Sequence, residues 1–314
     1  MSFLTTGVPQ GSVLGPLLFI IYTNDLPYCL KKTKCILFAD DTTIYASGKS
    51  LPELYNSLNS DLRIMADWFR ANKLSLNVGK TVYMIFNNKL DRDLEDAGLL
   101  LKLGSEEIKL VTNTKFLGLQ IDNKLKWNEH LKHVKSKLSS TLYALRAAKN
   151  VFGTRQLQTI YNSLFQPYLD YGLILWGAAC QKVLKPIEIQ QKKAIRLISN
   201  VGYNAHTQPL FKQHGILQLR DLYTLHINKF MFQLDRKLLP SSLQNMFTLN
   251  NEIHSHQTRN RNIPRVRLKR TANAEQSILH KGPRLWHNVS NDLKQSKTVH
   301  RFSRAMKKQI IDLY

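Results

Sequence analysis

The chain has 314 residues, long for one compact domain and comfortable for two. Hydrophobic residues make up 43% of it, so a sizeable core can be buried and wholesale disorder is excluded. Lys and Arg number 45 against 22 Asp and Glu, a formal net charge of +23 that points to a polyphosphate partner, nucleic acid before an anionic membrane surface.

In chain order, Pro9–Gly11 reads as a turn and Ser12–Tyr22 as a buried apolar helix. The apolar run from Val13 is about half a membrane span, and no basic residue precedes Lys31, so neither a membrane anchor nor a signal peptide is expected. Cys35–Ala39 predicts a short buried strand and Thr42–Ala46 its return, with Asp40 and Asp41 at a tight hairpin turn between them. Leu51–Leu74 has apolar residues at helical spacing, with Ser50 as cap and Pro52 in the first turn. Thr81–Phe86 predicts a half-buried strand with Val82, Met84 and Phe86 on its inner side. Asn87–Gly104 reads as a polar loop, and Ile108–Val111 with Lys115–Ile121 as a second hairpin.

From Trp127 the texture becomes helical. Leu131, Val134, Leu138, Leu142 and Leu145 form one stripe. Leu157–Phe165, Lys182–Ile198, Leu219–Leu234 and Val299–Leu313 predict further helices, and Tyr168–Trp176 a buried aromatic stretch. Trp176 and Trp286 are expected as core anchors. Between these elements, Arg259, Arg261, Arg265, Arg267, Lys269 and Arg270 read as an extended, solvated basic segment.

The chemistry centres on Phe38-Ala39-Asp40-Asp41. Two adjacent carboxylates repel unless a cation neutralises them, and hard oxygen ligands suit Mg2+ or Mn2+. Taken alone, an Asp-Asp pair is more often a plain turn. Cys29, Cys35 and Cys180 have no metal-ligand spacing, and His254 and His256 read as surface histidines. A reducing intracellular compartment fits the cysteine usage.

The run Gly7-Val8-Pro9-Gln10-Gly11-Ser12-Val13-Leu14-Gly15-Pro16-Leu17-Leu18-Phe19, followed by Tyr22 and Asn24-Asp25-Leu26, resembles motif B of reverse transcriptases of jockey-like non-LTR retrotransposons. Phe38–Asp41 resembles their motif C. Leu76-Asn77 with Lys80-Thr81 resembles motif D, and Phe116-Leu117-Gly118 resembles the motif E primer grip. Arg259-Asn260, Pro264-Arg265-Val266, Gly282, Leu285-Trp286 and Asn288 resemble their C-terminal region.

The resemblance implies an α+β fold: a reverse transcriptase palm with a small antiparallel sheet over residues 1–122, a helical thumb over 123–200 and a basic C-terminal region over 201–314. It implies an RNA-directed DNA polymerase using Mg2+ or Mn2+, an RNA template and a DNA primer, in the nucleus or cytoplasm. Asp40 and Asp41 would hold the metal, and Gln10 and Gly11 would line the nucleotide and template pocket. Lys80 would be a general acid or else a surface lysine. Phe116, Leu117 and Gly118 would grip the primer, which is compatible with ordinary hairpin packing. From the charge pattern, Lys132, Lys135, Lys192, Lys193 and Arg196 would track the nucleic-acid backbone or else form a solvated helix face.

Motif B starts at residue 7, and Asp61, Asp67, Asp91, Asp93 and Asp96 lie in contexts unlike motif A. The chain is therefore expected to be a truncated polymerase that does not extend a primer alone. The alternative is a non-catalytic RNA- or DNA-binding remnant of a mobile element.

Overall fold

The computed structural model describes residues 8–9, 11–86, 100–250, 264–266 and 271–314. They fall into two units, residues 1–114 and 115–314.

The first unit is a helix with small β pairs around it. Its elements are α1 (Leu14–Thr23), α2 (Leu26–Cys29), β1 (Lys34–Phe38), β2 (Asp41–Tyr45), α3 (Leu51–Ala71), β3 (Val82–Tyr83), β4 (Lys102–Leu103), β5 (Glu106–Glu107) and β6 (Lys109–Leu110). The inward stripe of α3 supplies most of the core: Tyr55, Leu62, Met65, Trp68 and Phe69 pack with Leu26, Leu101, Leu103 and Ile108. Pro52 sits in the first turn as expected. Ser50 makes no side-chain cap, and the start is held by the Leu54 N–H to the Ser50 carbonyl at 3.3 Å.

Mixed helix and strand is the fold class that the sequence predicts, but the strands differ in detail. In place of one antiparallel sheet, the described residues form separate two-stranded pieces. β1–β2 and β4–β5 are antiparallel, while β3 pairs with β6 in parallel. Ile108–Val111 thus joins β3 through β6 and does not pair with Lys115–Ile121. The phase of β3 is also opposite to the expected one. Tyr83 and Ile85 pack on the core and Val82 and Phe86 are exposed. Apolar residues occupy both faces here, so alternation does not choose between them. The choice falls to Tyr83, whose hydroxyl finds that of Tyr55 at 3.0 Å and so tolerates burial.

Two expected buried elements are open. β1 alternates, with Cys35 and Leu37 turned inward and Ile36 and Phe38 outward. Helix α1 forms where expected, yet Leu14, Leu17, Leu18, Ile20, Ile21 and Tyr22 are all exposed. Among the described residues no layer covers that helix, so its apolar composition predicts the helix but not its burial. Within the expected loop Asn87–Gly104, residues 87–99 lie outside the described residues, and Leu101 and Leu103 join the core.

β7 (Asn113–Phe116), which starts just before the boundary, turns into β8 (Leu119–Asp122), and the helices of the second unit follow. They are α4 (Asn128–Ala148), α5 (Thr154–Ile160), α6 (Gln166–Asp170), α7 (Leu173–Trp176), α8 (Gln181–Ile198), α9 (Gln208–His214) and α10 (Leu219–Asp235). After them come α11 (Ser241–Gln244), α12 (Ala272–Gln276), α13 (Ile278–His287), α14 (Asn291–Lys294) and α15 (Val299–Asp312). A π-helical turn, Tyr161–Phe165, joins α5 to α6. Pro167 lacks an N–H and its ring crowds the preceding turn, so a wider turn is the expected accommodation.

One core runs from Leu119 to Met306. Trp176 and Trp286 are buried in it, as expected. Phe232 of α10 stacks on Phe302 of α15 at 4.6 Å, and Trp286 of α13 lies 5.9 Å from Phe302. The residues after the basic segment therefore return to the same core. Of that segment, only Arg265 is among the described residues; it is exposed, and its N–H donates to the Thr248 carbonyl at 2.8 Å. His254 and His256 lie outside the described residues.

Candidate active site and nucleic-acid interface

In the β1–β2 ladder Phe38 pairs with Asp41, so the turn consists of Ala39 and Asp40, and Asp41 opens β2. Ala39 has a φ of 51°, a left-handed conformation that this hairpin turn demands. A side chain there costs about 1–2 kcal/mol, which the flanking ladder must offset. Directly paired residues share a face. Asp41 therefore lies on the open face with Phe38, which is 60% exposed, while Leu37 and Ile44 pack on the α3 side.

Asp40 and Asp41 are both exposed, and among the described residues no donor or cation pairs with either carboxylate. Four other aspartates are committed to structure. Asp25 accepts from the Trp68 indole at 3.2 Å, and Asp170 contacts His226 at 3.0 Å. Asp122 accepts from the N–H groups of Lys124, Lys126 and Trp127 at 3.1, 2.9 and 2.7 Å, shaping the entry to α4. Asp61 is fully buried on α3. It accepts from the N–H groups of Lys31, Lys32 and Thr33 at 3.3, 2.8 and 2.8 Å, and from the Thr33 hydroxyl at 2.9 Å. Burial pushes its pKa up, but these hydrogen bonds outweigh burial and hold the carboxyl below the usual range. Asp61 ties the segment entering β1 to α3, a role that sequence reasoning missed. The signal was present: a carboxylate beside Leu62, in the inward phase of the α3 stripe.

The hairpin tip suits a hard divalent cation, since it offers two adjacent, unpaired oxygen donors open to solvent. Among the described residues no group of three or more His, Cys, Asp or Glu side chains gathers. Gly11 is exposed with a φ of 85°, in a turn closed by the Ser12 N–H to the Pro9 carbonyl at 3.1 Å. Gln10 lies outside the described residues. Lys80 is exposed at the end of a short 3-10 turn, where its N–H donates to the Asn77 side chain at 3.2 Å.

Phe116, Leu117 and Gly118 belong to the β7–β8 hairpin. Leu117 and Gly118 form its two-residue turn, with φ of 45° and 82°. Positive φ at both positions is the signature of a type I′ turn.

Lys132 and Lys135 lie on the exposed face of α4, and Lys192 on that of α8. Gln190 donates to Ser139 at 3.1 Å and links the two helices. Lys132 sits 3.7 Å from Glu129, an exposed pair worth little. Lys193 is half-buried. Arg196 donates to the Ala205 carbonyl at 2.9 Å and covers the Tyr203 ring at 5.7 Å, so it also braces its own chain. Among the described residues no helix is long and apolar enough to cross a membrane.

Residues 1–121 match the family model described as reverse transcriptase (RNA-dependent DNA polymerase). The RNA-directed DNA polymerase from mobile element jockey of Drosophila melanogaster is 26% identical over 250 residues, 76% of this chain and 26% of that protein. The probable RNA-directed DNA polymerase from transposon BS of the same organism is 27% identical over 247 residues, 74% of this chain and 26% of that protein. The jockey polymerase of Drosophila funebris is 26% identical over 220 residues, 67% of this chain and 24% of that protein. The chain spans about a quarter of the length of these curated relatives. Residues 1–121 are thus similar to a reverse transcriptase domain, and the chain is similar to the polymerases of jockey-like non-LTR retrotransposons, the resemblance that motifs B to E suggest.

Proposed function

We propose that the chain is part of an RNA-directed DNA polymerase that extends a DNA primer on an RNA template. The observation that carries this reading is the β1–β2 tip, where two adjacent exposed carboxylates stand free, while Asp25 and Asp61 of the same unit are hydrogen-bonded into the fold. Asp40 would hold a divalent cation directly, Mg2+ or Mn2+, with Asp41 beside it. Bound there, such ions supply a clamp on the attacking and leaving oxygens of phosphoryl transfer. Gln10 and Gly11 would line the pocket for the incoming nucleotide, where the missing Cβ of Gly11 leaves backbone open to close approach. Lys80 would donate a proton to the departing pyrophosphate. Phe116, Leu117 and Gly118 would hold the primer 3′ end, and Lys132, Lys135, Lys192, Lys193 and Arg196 would follow the phosphate backbone.

One hairpin supplies only two carboxylates, and Mg2+ demands near-ideal octahedral geometry. Weak metal binding and little or no extension are expected of the 314-residue chain by itself. The test is Mn2+ binding by calorimetry together with Mg2+-dependent primer extension, on the full chain and on Asp40→Ala. Weak Mn2+ binding that Asp40→Ala abolishes supports the reading, and metal binding indifferent to that substitution overturns it. Robust extension lost in Asp40→Ala would retain the polymerase and refute its incompleteness.

A second reading, binding of RNA or RNA–DNA duplex without chemistry, is favoured by the exposed lysines of α4 and α8. It requires duplex binding that Asp40→Ala leaves unchanged and no Asp40-dependent metal binding.

A further inference from the structure

The Leu117–Gly118 turn is braced from outside its own hairpin. Tyr171, which follows α6, donates its hydroxyl to the Leu117 carbonyl. The same ring lies against Gly118, where an added Cβ would come within 3.1 Å of ring carbon Cε1. The next residue, Gly172, has a φ of 65° and receives Leu119, the first residue of β8; a Cβ on Gly172 would meet Leu119 Cδ2 at 2.8 Å. Behind them the buried Trp176 donates its indole N–H to the Tyr171 carbonyl at 2.8 Å. The Tyr171–Gly172 step is thereby fixed to the helical core and clasps both central residues of the turn.

The turn needs such a clasp. A type I′ turn asks both central residues for left-handed backbone, which favours Asn-Gly, and here the first position is Leu. A branched side chain at a φ of 45° is disfavoured on its own. Tyr171 is 56% exposed, so its hydroxyl is not a core anchor whose loss would unfold the unit. Its bond is local to the carbonyl it holds.

We propose that Tyr171 is a positioning residue that locks the Leu117–Gly118 turn in its left-handed form and thereby presents the hairpin tip to a primer 3′ end. The primer half rests on the polymerase reading above, and the brace does not. Three proteins test it, each the full chain: wild type, Tyr171→Phe, which keeps the ring and removes the hydroxyl, and Gly118→Ala, which crowds the ring at 3.1 Å and strains a backbone held at a φ of 82°. Thermal melting checks that each variant stays folded. Amide hydrogen exchange over residues 115–122 reads the brace. Competition between an RNA–DNA duplex with a recessed DNA 3′ end and a blunt duplex of equal length reads the grip.

Both variants should melt cooperatively, exchange at the hairpin tip roughly five- to tenfold faster and lose preference for the recessed end, and Tyr171→Phe, which leaves Phe116, Leu117 and Gly118 themselves unchanged, should bind blunt duplex as before. Unchanged exchange in both variants overturns the brace. Faster exchange with undiminished end preference overturns its link to the primer. A wild-type chain with no end preference, but faster exchange in the variants, refutes the grip reading and leaves the brace standing.

Discussion

His130 is 3% exposed, accepts the Gln120 N–H on Nδ1 at 3.4 Å, and lies between the rings of Trp127 and Trp176 at 6.0 and 5.8 Å. Burial first, and the nearby His133 second, push its pKa down to about 4. The folded state thus prefers the neutral ring, and the unfolded state takes up the proton first. The stability this contributes is complete above the ordinary histidine pKa near 6.5 and falls as pH drops toward 4, by about 1.4 kcal/mol per pH unit at most. His214, also lowered by burial, adds to the slope with the same sign. Chemical denaturation of the full chain between pH 7 and 4.5 should show the decline, and His130→Gln should flatten most of it. At this scale Asp40 and Asp41 were legible because they are adjacent and sit in a recognisable motif. Asp61 and Tyr171 were not, because their partners lie 28–30 and 54 residues away.

Among the elements, α3 and the segment entering β1 stand or fall together through Asp61. Replacing it with Ala leaves three backbone N–H groups and the Thr33 hydroxyl without their acceptor. Asp61→Ala should cost about 3 kcal/mol, read as a lower denaturation midpoint for residues 1–114, with Asp61→Asn recovering part of it. Helices with a strong apolar stripe were legible from sequence almost to their ends: α3, α4, α8 and α15 all form where their spacing predicts. The strands were less so. Val82–Phe86 carries apolar side chains on both sides, and the side that turns in holds Ile85 and Tyr83, whose hydroxyl meets that of Tyr55. The uniformly apolar α1 shows the same limit, since composition gives the helix no preferred face.

For the whole molecule, the net charge of +23 was plain in the sequence, and the structure sets part of it on open helix faces. Binding to duplex should fall steeply with salt, because each phosphate neutralised releases a counterion. Changing Lys132, Lys135 and Lys192 together to Gln should make the slope of log affinity against log salt shallower by roughly 2 to 3, measured by fluorescence anisotropy over a salt series. Asp40→Ala should leave that slope unchanged. The return of the C-terminal helices to the core was hidden, because Trp286 and Phe302 give no local sign of the Phe232 that meets them. On the two sides of residues 267–270, Leu249 pairs with Pro264, and Trp286 and Phe302 meet Phe232 of α10. Severing the backbone between residues 267 and 270 would thus yield two fragments that stay associated without a peptide bond between them, gripped by three interlocking rings.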